Sequence, residues 1–213
     1  IRNRIGSVKN SRKITRAMKM VAASKLRRAQ EAIIAARPYA NALTRVVSEL
    51  AQVAGADAHP LFEERPGKRA AIVVITSDRG LAGAYSSAVI KEGEQLTALL
   101  NERGMTVLPF VVGRKAVGYY RFRQREVAAS WTGFSDQPSY ANAKEIAAAL
   151  LESFLTRTED GGTDEIHIVY THFESMVTQR TTVRRILPLE VVEQTAAEAA
   201  ASGQGPFPLY DFE

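Results

Sequence analysis

The chain has 213 residues, with 28 Lys or Arg against 23 Asp or Glu, and no cysteine. That length buries one good core or two small ones. The lack of cysteine excludes disulfides, thiolate nucleophiles and Cys-ligated zinc or iron–sulfur sites, and the longest apolar run, Ala70 to Thr76, is far too short to span a bilayer. The charge is unevenly placed. Ile1 to Arg45 carries twelve Lys or Arg and one acid, Glu31, so Val46 to Glu213 holds 16 basic and 22 acidic residues, a net of −6. A basic segment of this kind suits a shaft, or an arm that grips something acidic.

The first 50 residues read as one helix. No Gly or Pro interrupts Ser7 to Arg37, and Ala is abundant. Apolar or small residues recur at Ala22, Leu26, Ala29, Ile33, Ala36, Ala40, Leu43, Val47 and Leu50. The spacing alternates four and three, as in the seam of a left-handed coiled coil. Ile14, Met18 and Val21 keep that spacing upstream, as do Ile1, Ile5 and Val8, with a slip of register at Val21 and Ala22. Pro38 falls inside the pattern and is expected to kink the rod. Fifty residues make a helix of roughly 75 Å. A seam of that length needs a partner helix, and the later helical stretches are each needed to cover a sheet.

Downstream, Gly55 to Gly67 reads as a loop. Arg69 to Thr76 (RAAIVVIT) is a buried strand of β-branched residues, followed by the turn SDRGLAGA at Ser77 to Ala84. Tyr85 to Arg103 is a helix weakened by Gly93, Met105 to Val112 a second buried strand, and Arg114 to Arg123 a short helix. Val127 to Trp131 is a third strand. Asn142 to Thr156 is a helix with Asn or Ser capping nearby. Glu165 to Thr171 and Thr181 to Leu187 form an antiparallel pair. The alternation predicts an open α/β sheet with helices on its faces. Glu193 to Gln204 reads as a mobile loop, and the apolar Gly205 to Glu213 as a segment that docks on something.

Three features resemble sites. The turn SDRGLAG follows a buried strand and opens a helix, where α/β folds hold phosphates. Gly80 and Gly83 make neither GxGxxG nor a P-loop, however, and Asp78, Arg79 and Gly80 are ordinary turn and cap residues. His167 and His172 have opposite parity on one strand, so the favoured reading is structural or surface His rather than metal ligands. Tyr119 to Arg125 (YYRFRQR) interleaves aromatics with Arg, a pattern that also suits single-stranded nucleic acid. The favoured reading is a helix C-terminus with its aromatics facing the core. The polar, Met-containing segment Phe173 to Gln179 (FESMVTQ) reads as packing and turn chemistry. No nucleophile signature is present.

Several of these segments, in order, resemble the gamma subunit of the F-type ATP synthase. The rod IRNRIGSVKNSRKITRAMKMVAASKLRRAQ resembles the family's N-terminal helix, and SDRGLAG its SDRGLCG turn, with Ala82 in place of the usual Cys. VYTHFESMVTQ followed by Ile186, Leu187 and Pro188 resembles a second signature, and LYDFE the lead-in to the family's C-terminal helix. That helix, with its ITQEI-type signature, is missing, so the chain reads as C-terminally truncated and the seam as made for it. The Cys insertion of the chloroplast type is missing too, which implies a bacterial type.

The resemblance implies a long N-terminal coiled-coil helix plus a Rossmann-like open α/β domain with a mixed sheet. It divides the chain into a rotor helix at 1–54, an α/β domain at 68–190, and a mobile loop with the lead-in at 191–213. It implies a central-stalk rotor at the cytoplasmic face of the bacterial membrane, with no catalytic, metal or cofactor residues of its own. The implied partners are the alpha and beta subunits, the epsilon subunit and the c-ring. Arg2, Arg4, Ile5, Val8, Met18, Lys19, Lys25, Arg27 and Arg28 are expected to face the alpha/beta hexamer, and Tyr210, Asp211 and Glu213 the c-ring and epsilon. The competing classes are a basic coiled coil that binds nucleic acid and a nucleotide-using α/β enzyme.

Overall fold

The computed structural model describes residues 2–54, 59–175 and 177–189. The chain divides into two compact units, Ile1–Gly55 and Ala56–Glu213. The first is a single helix, α1, over Arg2–Ala54, and it runs through Pro38 without interruption. Its 53 residues extend about 80 Å. Between Arg2 and Val47 every side chain is exposed except Leu26 and Gln30, which are half-buried. Ile33, Leu43 and Val47 of the seam are therefore open to solvent. The seam is present in the helix but unpaired among the described residues. The side chain of Leu50 lies outside them.

The second unit is a five-stranded mixed sheet. Its strands are β1 (Arg69–Ile75), β2 (Thr106–Val112), β3 (Ala129–Trp131), β4 (Glu165–Phe173) and β5 (Gln179–Leu187). They lie in the order β3-β2-β1-β4-β5. The first four are parallel, and β5 runs antiparallel to β4. The helices are α2 (Tyr85–Glu102), α3 (Arg114–Phe122) and α4 (Tyr140–Leu155).

Alternation along β1 builds two cores. Ala70, Ile72 and Val74 pack with Val89 and Leu100 of α2 and with Ala116 and Tyr120 of α3. Ala71 and Val73 pack on the other face with Phe110, Leu150 and Phe154, the last two from α4. Burial, aided by the Glu94 carboxylate, pushes the Tyr120 hydroxyl up to about 12. Gly93, expected to weaken α2, has a packing role. A Cβ there would lie 3.2 Å from Val74 Cγ2, so its absence lets the helix approach the sheet closely.

Several boundaries differ from expectation. The third strand begins at Ala129 rather than Val127, and Ala128, just before it, already donates its N–H to the Pro109 carbonyl of β2 (2.8 Å). α4 begins at Tyr140, two residues before the predicted Asn142. Ser139 is its N-cap, and Ser139 and Asn142 form a reciprocal capping box. Residues 190–213, with the expected mobile loop and docking segment, lie outside the described residues.

Candidate interaction surfaces

The turn after β1 is held by its own polar groups. Ser77 Oγ donates to the Arg79 carbonyl (2.7 Å) and lies 2.9 Å from Ser86 Oγ of α2. Asp78 is more deeply anchored. Its carboxylate accepts N–H bonds from Arg114 (3.0 Å) and Ser135 (2.9 Å), while its own N–H donates to Ser135 Oγ (2.7 Å). Burial alone would raise its pKa, but the hydrogen bonds from Ser135, Gly133 and Arg114 outweigh it and hold the carboxyl at about 2. Arg79 pairs with Asp136 at 2.9 Å.

This geometry bears on the phosphate reading. The Asp78 carboxylate sits at the first amide of α3, the place an anion would need, and it brings the same charge. The turn acts as a brace between β1, α3 and the β3–α4 connection. Its tip has a different character. Leu81 is fully exposed and holds a left-handed backbone, φ 60°.

That tip meets the aromatic and basic segment Tyr119 to Arg125. Gly80, Leu81, Ala82 and Gly83 line one side of a depression of about 460 Å³, and Lys115, Tyr119 and Phe122 of α3 line the other. Phe122 is 88% exposed, which corrects the expectation that the aromatics of YYRFRQR face the core. Tyr120 does so. Phe122 stands two residues on, about 200° around the helix. Tyr119 is half-buried, with the Arg123 guanidinium 4.7 Å above its ring. Arg125 forms an ion pair with Glu94 at 2.6 Å. Two segments distant in sequence thus line one depression, with the exposed Leu81 and Phe122 side chains and the Lys115 cation on its walls. The period of α3 was the available signal for Phe122.

The other predicted residues are scattered. Arg2, Arg4, Ile5, Val8, Met18, Lys19, Lys25, Arg27 and Arg28 are all exposed on α1, and Arg27 pairs with Glu31 at 2.9 Å. Tyr210, Asp211 and Glu213 lie outside the described residues. His167 Nε2 lies 2.9 Å from Glu165, His59 Nδ1 accepts the Leu61 N–H at 3.3 Å, and His172 is exposed. No group of three or more metal-ligating side chains occurs among the described residues. In FESMVTQ, Ser175 Oγ accepts the Val177 and Thr178 N–H groups (3.2 and 2.9 Å), which is turn chemistry.

A larger depression, about 830 Å³, opens at the N-terminal ends of the parallel strands. Two of its cations are already used. Arg65 donates to the Phe154 and Thr156 carbonyls at the end of α4, and Arg69 Nε to the Gly162 carbonyl.

Comparison with known proteins decides the family. A family model described as ATP synthase matches residues 1–213. The ATP synthase gamma chain of Acidothermus cellulolyticus is 54% identical over the whole of this chain, which covers 69% of that relative. The gamma chain of Thermobifida fusca matches equally, at 54% and 69%. This chain belongs to the ATP synthase gamma-chain family. The central stalk and c-ring structure of the Tetrahymena thermophila mitochondrial ATP synthase superposes with a TM-score of 0.61 at 28% identity. The match covers 82% of this chain and 72% of that one. The resemblance of the rod, of SDRGLAG and of the β4–β5 signature to gamma chains therefore reflects kinship, and the long helix with a mixed α/β sheet is a gamma-chain fold.

Proposed function

We propose that this gamma-family chain is the central-stalk rotor of an F-type ATP synthase. The c-ring, driven by ion flow, turns the chain. The turning shaft then forces the beta subunits of the alpha/beta hexamer through states of differing nucleotide affinity, and its contacts regulate ATPase activity. The chain itself performs no chemistry and needs no cofactor. It sits at the cytoplasmic face of the bacterial membrane and reaches the bilayer only through the c-ring. Among the described residues no helix is long and apolar enough to cross a membrane. The assignment divides it into a rotor helix (1–54), an α/β domain (68–190) and a lead-in (191–213).

One observation carries this reading: α1 is a 53-residue helix with an exposed apolar seam and an exposed basic surface, in a chain matched throughout by the family. A helix that long, with so little buried, requires partners. The seam, Ala22 to Leu50, is assigned to a second helix. Met18, Lys19, Lys25, Arg27 and Arg28 are assigned to the surrounding hexamer, with Arg2, Arg4, Ile5 and Val8 at the anchoring end. Tyr210, Asp211 and Glu213 are assigned to the c-ring and epsilon side. Long hydrated cations follow a moving acidic surface without locking to it, since each exposed contact is worth roughly 0–1 kcal/mol.

The test is torque. Lys19, Arg27 and Arg28 are changed together to Glu in an assembled complex, and ATP-driven rotation is followed on single molecules. The reading expects reduced torque with the complex still assembled. Unchanged torque would remove the electrostatic role. Tight, steeply salt-dependent binding of DNA or RNA by the chain would favour the nucleic-acid class instead.

A further inference from the structure

The sheet has two very unlike edges. β3 ends one side with three residues, a short edge of the kind that resists pairing. β5 ends the other with nine, Gln179–Leu187, and among the described residues no strand pairs with its outer side. It contains neither Pro nor Lys, the usual blunting residues, and its centre, Thr181, Thr182 and Val183, favours strand formation.

Its charge is of one sign. Arg180, Thr182 and Arg184 share a face, and both arginines are exposed. Arg180 reaches Glu174 at 3.3 Å, but its side chain remains 72% exposed. Arg184 makes no ion pair among the described residues. Arg185 lies on the opposite face, where it meets Glu165 at 3.8 Å.

These positions select against a second copy. An antiparallel self-pairing centred on Thr182 would put Arg180 of each copy opposite Arg184 of the other, and like charges placed so repel. A strand carrying carboxylates at positions i and i+4 would place one opposite each arginine. We propose that the outer edge of β5 docks an extended, acidic segment of another polypeptide as a further strand of the sheet. Main-chain hydrogen bonds supply affinity, and Arg180 and Arg184 select the charge. The inference is independent of the rotor assignment.

The experiment uses the full chain and two ten-residue, Thr- and Val-rich peptides, one with Glu at i and i+4, the other with Lys there. Residue-resolved amide hydrogen exchange locates binding, which matters because α1 is also basic. The Glu peptide is expected to slow exchange of alternate β5 amides by about tenfold, and the Lys peptide not to. The double variant Arg180→Glu, Arg184→Glu, with β1 protection unchanged as proof of folding, is expected to reverse that preference. Protection confined to α1, equal protection by both peptides, or no β5 protection would overturn the proposal. So would β5 protection that rises with protein concentration alone, since that would identify a second copy as the occupant.

Discussion

Asp78 and Ser135 hold each other across 57 residues of chain, each accepting the other's backbone N–H through its side chain. With Arg114, this clasp joins the turn after β1 to the start of α3 and the approach to α4. The carboxyl titrates at about 2, below its ordinary 3.8, so its contribution is complete above about pH 4 and is lost as pH falls through 2. The amount is about 2 kcal/mol. Urea unfolding followed through Trp131, the chain's one tryptophan, is expected to show this loss between pH 5 and 2. Asp78→Asn is expected to lower stability at pH 7 by about 1–2 kcal/mol and to flatten that part of the pH profile.

Gly113 lies at φ 93°, and a Cβ there would overlap the Thr76 carbonyl. Thr76 is buried, donating its hydroxyl to the Val112 carbonyl (2.9 Å) and accepting the Ala116 N–H (3.0 Å). Gly113→Ala is therefore expected to cost more than about 3 kcal/mol, since neither backbone can retreat. Gly118, with open space around it, is the control. Gly118→Ala in α3 is expected to stabilise by up to about 1 kcal/mol in the same urea titration.

Arg65 closes the C-terminus of α4. One guanidinium nitrogen donates to the Phe154 and Thr156 carbonyls (2.8 and 3.3 Å), and the group lies 5.2 Å over the Phe154 ring. Arg65→Ala is expected to cost about 2 kcal/mol. Arg65→Lys keeps the charge but loses the fork, and is expected to recover less than half of that. Thermal unfolding of the three proteins would show the order.

Leu81 stands fully exposed in a left-handed conformation that costs a leucine about 1–2 kcal/mol. Leu81→Gly is expected to leave the unit as stable or to stabilise it by up to about 1 kcal/mol. Phe122→Ser is expected to change stability by less than about 0.5 kcal/mol. Both measurements ask whether these side chains serve the fold at all. A loss above about 1 kcal/mol in either would show that they do.

The fold was largely legible in the residues. RAAIVVIT and the run ending in FVV announce buried parallel strands because both faces of the sheet are covered, so almost every residue is apolar. Ser139 and Asn142 mark the start of α4 by a capping pair that a periodicity count overlooks. Gly93 looked like a flaw because propensity is a local quantity, whereas its use depends on Val74 across the layer. The site was less legible. SDRGLAG and YYRFRQR are each recognisable, but their meeting depends on strand order. Phe122 is read correctly only by following the turn of α3 past Tyr120.

Strand order also shapes how this unit comes together. β1, α2, β2, α3 and β3 are neighbours in sequence and in space, so their contacts close short loops. The chain must then pass from the β3 edge beneath two strands to place β4 beside β1, with α4 as the crossover. That step closes the longest loop and spends the most chain entropy before any reward. Loop-closure entropy therefore sets the β1–β4 pairing, and with it the docking of the β4–β5 hairpin and its basic outer edge, as the costliest contact of the sheet to close, although the hairpin itself pairs locally.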